Sequence, residues 1–366
     1  MNGSPRATVV CINTGSSSLK AAVANDAGVT DRYEFELHAP TDLPAAVEQA
    51  IDQLVGTTEP PDAIGHRVVH GGAGFTGPTA ITGAVLDELR ALIPLAPLHQ
   101  PAALATIEEM THRMPGVPQV ACFDTAFHRR LPESAQRLPL PERYWTAGIR
   151  RYGFHGLSYE YVVGRLGARL GARSVIAHLG GGSSLVALRD GVPVDTTMSL
   201  TPGGGLTMAT RSGDLDPGVV LALLRLDGDP DRVADVLERE SGLAGISGGT
   251  GDMRTLLDAA GTNPRAQEAV DTFALSAAKH IAAATSVLGG LDTLVFTGGI
   301  GAGSAAIRHA IAQRLSHLGV VVDDEANTRS SVAISSTDAG CDVLVVATDE
   351  EAVIATQTFS VIRRRP

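Results

Sequence analysis

The sequence predicts an α/β protein of two similar halves built on mixed sheets. Short apolar runs alternate with longer helical segments along its 366 residues. Most of those runs are continuous Val/Ile/Leu/Ala, as expected of strands buried on both faces. A glycine–serine turn between two such runs recurs near the start of each half, the mark of a duplicated unit.

The elements follow in order. Strands are expected at Ala7–Asn13, Leu19–Ala24, Ala63–His70, Gln119–Phe123, Ser174–His178, Leu185–Leu188, Thr293–Thr297 and Val343–Ala347. Helical periodicity marks Leu43–Leu54, Ala102–Arg113, Ser158–Leu170, Asp231–Glu240, Arg265–Leu288 and Ala305–Leu315. The proline-rich stretches Pro94–Pro101 and Leu131–Arg143 read as connections. Gly15, Ser17, Ser18 and Leu19 align with Gly181, Ser183, Ser184 and Leu185, so each half should open with a strand–turn–strand hairpin.

Composition narrows the function. Hydrophobic residues make up 44% and charged residues 19%, enough for a large core. The formal net charge of -11 disfavours nucleic acid and anionic membranes as partners. Lys occurs only at Lys20 and Lys279, in neither a G-x-x-x-x-G-K-[ST] phosphate loop nor a V-A-I-K kinase context. Cys11, Cys122 and Cys341 are far apart and read as small buried hydrophobes. With no signal-like N-terminus and no long apolar stretch, a cytoplasmic protein is expected.

Three glycine-rich turns suit an anion: Gly15–Ser18, Gly180–Ser184 and Gly298–Gly303. Gly301–Ala306, with Asp323 or Asp324 some twenty residues on, also fits a dinucleotide fingerprint, so a dehydrogenase is an alternative. His66 and His70 share a strand face, which leaves a metal site open. Asp124 ends a strand at the edge where ligands sit in open α/β sheets. Arg67, Arg211, His155 and Asp124, each among glycines or small residues, are hard to explain as packing.

Ten segments in the family's order resemble the acetate kinase family: Asn13–Lys20, Gly65–Gly72, Ala96–Pro101, Phe123–His128, Tyr152–Ser158, His178–Ser184, Thr201–Asp216, Gly251–Arg254, Phe296–Gly301 and Thr348–Ala355. The resemblance implies duplicated ribonuclease H-like (actin-like ATPase) domains with mixed five-stranded sheets and an interdomain cleft. It places the first domain at 1–128 plus 352–366 and the second, with most of the nucleotide site, at 129–351. It implies reversible transfer of the ATP γ-phosphoryl group to acetate, with propionate or another short-chain acid as the alternative acceptor. A non-catalytic nucleotide-binding scaffold is a distant alternative.

The roles it implies are these. Asn13 and Glu350 hold Mg²⁺, with Mn²⁺ as the alternative. Lys20 sits near the phosphates. His178, Leu179, Gly180, Gly181 and Gly182, then Asp252, Met253 and Arg254, then Gly299, Ile300, Gly301, Ala302 and Gly303 line the ATP site. Arg67 and Arg211 bind the carboxylate and the migrating phosphoryl group, His155 stabilises the transition state, and Asp124 orients an arginine. Val69, Leu98, Phe154 and Pro202 enclose the substrate's methyl end, with His99 nearby. The family usually has Asn at Gly181 and Gly303, His at Tyr159 and Phe at Met253. A homodimer is also implied.

Overall fold

The structure, a computed structural model, describes residues 7–15, 18–37, 42–55 and 60–364. Ser16 and Ser17 of the first glycine–serine turn lie outside the described residues. The chain divides into two compact units. One comprises Met1–Arg129, Phe154–Tyr161 and Asp349–Pro366; the other comprises Arg130–Gly153 and Val162–Thr348.

The first unit holds β1 (Thr8–Thr14), β2 (Ser18–Asn25), β3 (Gly28–Glu36), β4 (Ala63–Val68), β5 (Thr79–Ala80) and β6 (Gln119–Phe123), in the sheet order β3-β2-β1-β4-β6-β5. The second holds β7 (Arg173–His178), β8 (Ser184–Arg189), β9 (Val192–Thr196), β10 (Thr293–Thr297) and β11 (Asp342–Val345), in the order β11-β10-β7-β8-β9. Read from the other edge, the second sheet repeats the first. In both, the opening strand pairs antiparallel with the next, which pairs antiparallel with a third. In both, the opening strand's other side meets a parallel strand that meets another. That is the actin-like ATPase arrangement the resemblance implies, with one correction. The first sheet has six strands rather than five, because the two-residue β5 pairs antiparallel with β6 at its edge.

Both expected hairpins form. Asn13 lies opposite Lys20, and His178 opposite Ser184. The strands β3 and β9 were not expected. Each is an outer strand with partly exposed residues, so it lacks the continuous apolar run of its neighbours. Several helices were also not foreseen. Pro217–Asp227 starts behind an Asp216 cap that accepts from the Gly218 N–H, and Glu133–Gln136 and Glu142–Thr146 break up the proline-rich connection. The Asp231–Glu240 helix is shorter, Pro230–Asp235, and gives way to a wider turn over Val236–Glu240.

Each core lies between sheet and helices. In the first unit, helices Leu43–Val55 and Gln100–Arg113 cover one sheet face through Val47, Ala50, Ile51 and Met110. Helix Glu350–Ile362 covers the other through Val353, Ile354 and Phe359. It packs so close that a Cβ on Gly65 of β4 would lie 2.1 Å from Thr358 Oγ1 and 2.6 Å from Ile354 Cγ2. In the second unit the 25-residue helix Pro264–Leu288 lays Phe273, Ala277, Ile281 and Leu288 on the sheet. The three cysteines are free and buried, as expected. No helix among the described residues is long and apolar enough to cross a membrane.

Candidate active site

In the first unit three neighbouring strand ends bring their polar side chains together. Asn13 and Arg67 are the next-to-last residues of β1 and β4, and Asp124 follows β6. Parallel register aligns β1 with β4 and β4 with β6, so these residues share the carboxyl edge where open α/β sheets bind ligands. Arg67 donates from Nε (3.1 Å) and Nη2 (2.7 Å) to Asp124 Oδ2, and from Nη1 (3.1 Å) to Asn13 Oδ1. Asn13 Nδ2 donates to Glu350 Oε2 and Glu351 Oε1, both at 2.9 Å. Glu350 opens the helix that caps this sheet face, and its Oε2 lies 3.7 Å from Arg67 Nη1.

Electrostatics fix the charge states. Burial alone would discourage the Arg67 charge, but Asp124 and Glu350 outweigh it and raise its pKa. For Asp124, burial pushes the carboxyl up and Arg67 only partly pulls it back. Asn13 and Glu350 offer hard oxygen donors, the kind Mg²⁺ takes alongside phosphate oxygens and water. Among the described residues, no group of three or more His, Cys, Asp or Glu could hold a metal without such help. The donor set therefore fits a divalent cation that arrives with a phosphate.

His155 begins the next element at φ 56°, in the left-handed region that a non-glycine residue rarely enters. Two contacts flank it. The Tyr159 N–H donates to the His155 carbonyl, and His128 Nε2–H donates at 2.9 Å to the Phe154 carbonyl. His128 is buried, which pushes its pKa down to about 4, so it is neutral. Tyr159 packs its ring against those of Phe127 and His128. The Phe154 ring meets the edge of His70 at 5.3 Å. Val69 and Phe154 are buried, Leu98 and His99 half-buried, and His99 immediately precedes the helix starting at Gln100. Lys20, opposite Asn13 in the hairpin, is half-exposed and pairs with Glu34 at 3.6 Å.

The second unit contains a cavity of about 930 Å³, at the upper end of ligand-pocket size. Gly180, Gly181, Asp252, Met253, Arg254, Gly299, Ile300 and Gly303 line it, with Ala209, Thr210, Gly251 and Ser304 from segments the sequence marked without giving these residues a role, and Leu257 and Asp258, which it did not mark. His178, Leu179, Gly182, Gly301 and Ala302 are not on its wall; Leu179 instead supports it from behind. Its carbonyl accepts the Ile300 and Gly301 N–H groups. Gly298 takes φ +77°, and a Cβ there would lie 2.6 Å from the Leu179 carbonyl oxygen. Asp252 caps helix Met253–Ala260 by accepting from the Thr255 N–H and hydroxyl, which holds its carboxyl below the usual range. Arg211 and Pro202 belong to this unit too. Arg211 is buried, and its Nη1 donates to the Pro202 carbonyl at 2.7 Å.

Two alternatives lose their footing. His66 donates to Gln119 at 2.6 Å and burial pushes its pKa down to about 4, the state of a core histidine rather than half of a metal pair. The acidic residue of the dinucleotide pattern is otherwise engaged. Asp323 caps the helix Asp324–Thr328, and Asp324 pairs with His309 at 3.0 Å.

Residue by residue, the sequence also missed Glu351, which shares Asn13 with Glu350, and Arg32, which ties Glu351 and Asp349 at 3.2 and 2.6 Å. The run Asp349-Glu350-Glu351 behind a strand was the available signal.

Comparison with known proteins agrees with this geometry. Residues 29–356 match the Acetokinase family. The acetate kinase of Rhodopseudomonas palustris is 46% identical over 347 residues, covering 91% of this chain and 85% of its own. The crystal structure of Porphyromonas gingivalis acetate kinase superposes with a TM-score of 0.83 at 34% identity, covering 97% of this chain and 100% of its own. A propionate kinase from Francisella tularensis superposes with a TM-score of 0.86 at 34% identity, over 96% and 98% of the two chains. With carboxylate kinases matched along nearly all of its length in sequence and in structure, the chain belongs to the acetokinase family.

Proposed function

We propose that the protein transfers the γ-phosphoryl group of ATP reversibly to acetate, giving acetyl phosphate and ADP. An acetate oxygen attacks the γ-phosphorus, and the bond to the β–γ bridging oxygen breaks, leaving its electrons on ADP. A carboxylate and a polyphosphate repel each other, so the reaction needs fixed positive charge and exact placement more than covalent chemistry. The carrying observation is the Arg67 guanidinium, held by Asp124 and Asn13 beside Glu350.

In this reading Arg67 binds the acetate carboxylate. Arg211, braced on the Pro202 carbonyl, meets the migrating phosphoryl group. Such arginines are worth ~10³–10⁵ in rate. His155 donates to the equatorial oxygens as charge builds there. Asp124 has no substrate proton to take, since acetate is ionised at neutral pH; it aims Arg67. Val69, Leu98, Phe154 and Pro202 bound the methyl group, with His99 beside them. Lys20 stands near the phosphates. Asn13 and Glu350 would hold Mg²⁺ (Mn²⁺ being the alternative), which supplies charge neutralisation at the phosphate oxygens.

ATP occupies the 930 Å³ cavity of the second unit. Gly181, Gly303 and Met253 all line it at positions where the family usually carries larger side chains, so purine or phosphate preference is where this chain would differ from them. We place the enzyme in the cytoplasm as a homodimer, and divide the chain functionally at 1–128 with 352–366 against 129–351.

Propionate is the second reading, favoured by the Francisella tularensis propionate kinase, which superposes as well as the acetate kinases do. One methylene changes pocket discrimination by only ~1–3 kcal/mol. Trapping acyl phosphate as the hydroxamate, with acetate, propionate and butyrate and with ATP and other nucleoside triphosphates, tests both. Fastest turnover with acetate and ATP supports the proposal, and no acyl phosphate from any acid sinks it.

A further inference from the structure

Among the described residues Arg308 is the largest fully buried side chain, and the phosphoryl transfer makes no use of it. It sits on helix Ala305–Arg314, just after the glycine turn Gly298–Gly303. All five of its N–H groups are spoken for. Nε donates to Asn327 Oδ1 at 2.7 Å, Nη1 to the carbonyls of Gly301 (3.0 Å) and Ala302 (2.8 Å), and Nη2 to the Asn327 carbonyl (2.7 Å) and Ser330 Oγ (3.0 Å).

Every one of those acceptors is neutral. Among the described residues no carboxylate pairs with Arg308, and burial pushes its pKa down. Buried charges are ordinarily paired, because an isolated one is expensive. An arginine that remains charged with only dipoles around it exerts its full field on its surroundings. Here the surroundings are specific. The guanidinium grips one side of the turn at residues 301 and 302, while Gly299, Ile300 and Gly303 of the same turn face the large cavity.

We propose that Arg308 is a nucleotide-positioning residue: it clamps the Gly298–Gly303 turn from behind and supplies, through that turn, an uncompensated positive charge that favours the polyphosphate over the uncharged nucleoside. This rests on the ATP reading of the cavity. A cation placed behind the backbone attracts phosphate without forming a contact that must break on product release.

The readout is the ratio of ATP affinity to adenosine affinity, measured by equilibrium dialysis without acetate. Asn327→Asp puts a carboxylate against Nε and cancels the charge while keeping the guanidinium; the ratio should fall about tenfold. Arg308→Gln should lower it by a similar factor, and Arg308→Lys, which keeps the charge but loses the fork, should hold it within about twofold. An unchanged ratio in Arg308→Gln, or equal losses for ATP and adenosine in Asn327→Asp, overturns the proposal. Failure of the unaltered protein to bind ATP would instead remove the ATP reading itself.

Discussion

Arg67 closes both of its donating edges near Asp124 on a single oxygen, with Nη2 at 2.7 Å and Nε at 3.1 Å from Oδ2. The other oxygen, Oδ1, is buried, and besides Arg67 the carboxyl has only the Leu157 backbone N–H as a hydrogen-bonding influence. In the proposed reading this carboxylate aims the guanidinium and takes no proton from the substrate. Asp124→Asn keeps an oxygen for Arg67 and removes the charge, so kcat should drop about 10- to 100-fold with the KM for ATP changed less than about threefold. Asp124→Ala should cost more, about 10³. Steady-state kinetics with the hydroxamate trap measure both, and an unaltered kcat in Asp124→Asn would show that the charge is irrelevant.

His128 governs how His155 is presented. The Nε2–H of His128 fixes the Phe154 carbonyl, the peptide just before a histidine held at φ 56°. A non-glycine residue in that region costs of order 1–3 kcal/mol and persists only where neighbours over-determine it. His128→Gln can place an amide N–H near the same point and should retain most of kcat; His128→Met cannot, and should lose about 10- to 100-fold. The KM for ATP should stay level in both. Equal kcat in the two variants would remove His128 from any positioning role.

Stability should fall on mild acidification. His66 and His128 are buried and neutral, with folded pKa values pushed from 6.5 to about 4. The unfolded chain takes up their protons first as pH drops below 6.5. Their contribution is therefore complete above that pH and is lost between it and about 4, at about 3 kcal/mol for each histidine. Asp124 and Glu160, both raised by burial, work in the opposite sense, since folding favours their protonated forms. Urea midpoints at several pH values check this. His66→Gln should flatten the slope, and a midpoint independent of pH from 7.5 down to 5 contradicts the account.

Much of this was legible because the strands that position the site are the most buried ones. β1, β4, β6, β7 and β10 are short apolar runs, and each displays its chemistry at its end: Asn13, Arg67, Asp124, His178 and the Gly298 turn. The pairing of Asn13 with Glu350 and Glu351 could not be read from periodicity. Periodicity is local, and these partners are 337 and 338 positions apart. Arg308 was illegible for another reason. In sequence it is an ordinary arginine on a helix, and only the packed structure shows that each of its donors meets a neutral oxygen.

The same network makes a prediction about metal dependence. Glu350→Gln leaves a side chain that can still meet Asn13 but is a poorer ligand for a hard cation. It should raise the Mg²⁺ concentration needed for half-maximal rate by tenfold or more, roughly, while acetate KM at saturating Mg²⁺ moves little. Chelation of divalent ions should abolish turnover in the unaltered protein, with recovery on adding Mg²⁺. Activity that survives exhaustive chelation would exclude the assignment.

The helix Glu350–Ile362, laid against Gly65 of β4, has a consequence for biosynthesis. A nascent chain emerges with Asn13 long before Glu350, and at ordinary translation speeds the gap of 337 positions lasts roughly twenty seconds to a minute. Throughout that interval one face of the earliest-made sheet, with Val9, Cys11 and Cys122, lacks the Val353, Ile354 and Phe359 that shield it. That face of the first unit's sheet is thus covered by a helix that is synthesised only after the whole of the second unit.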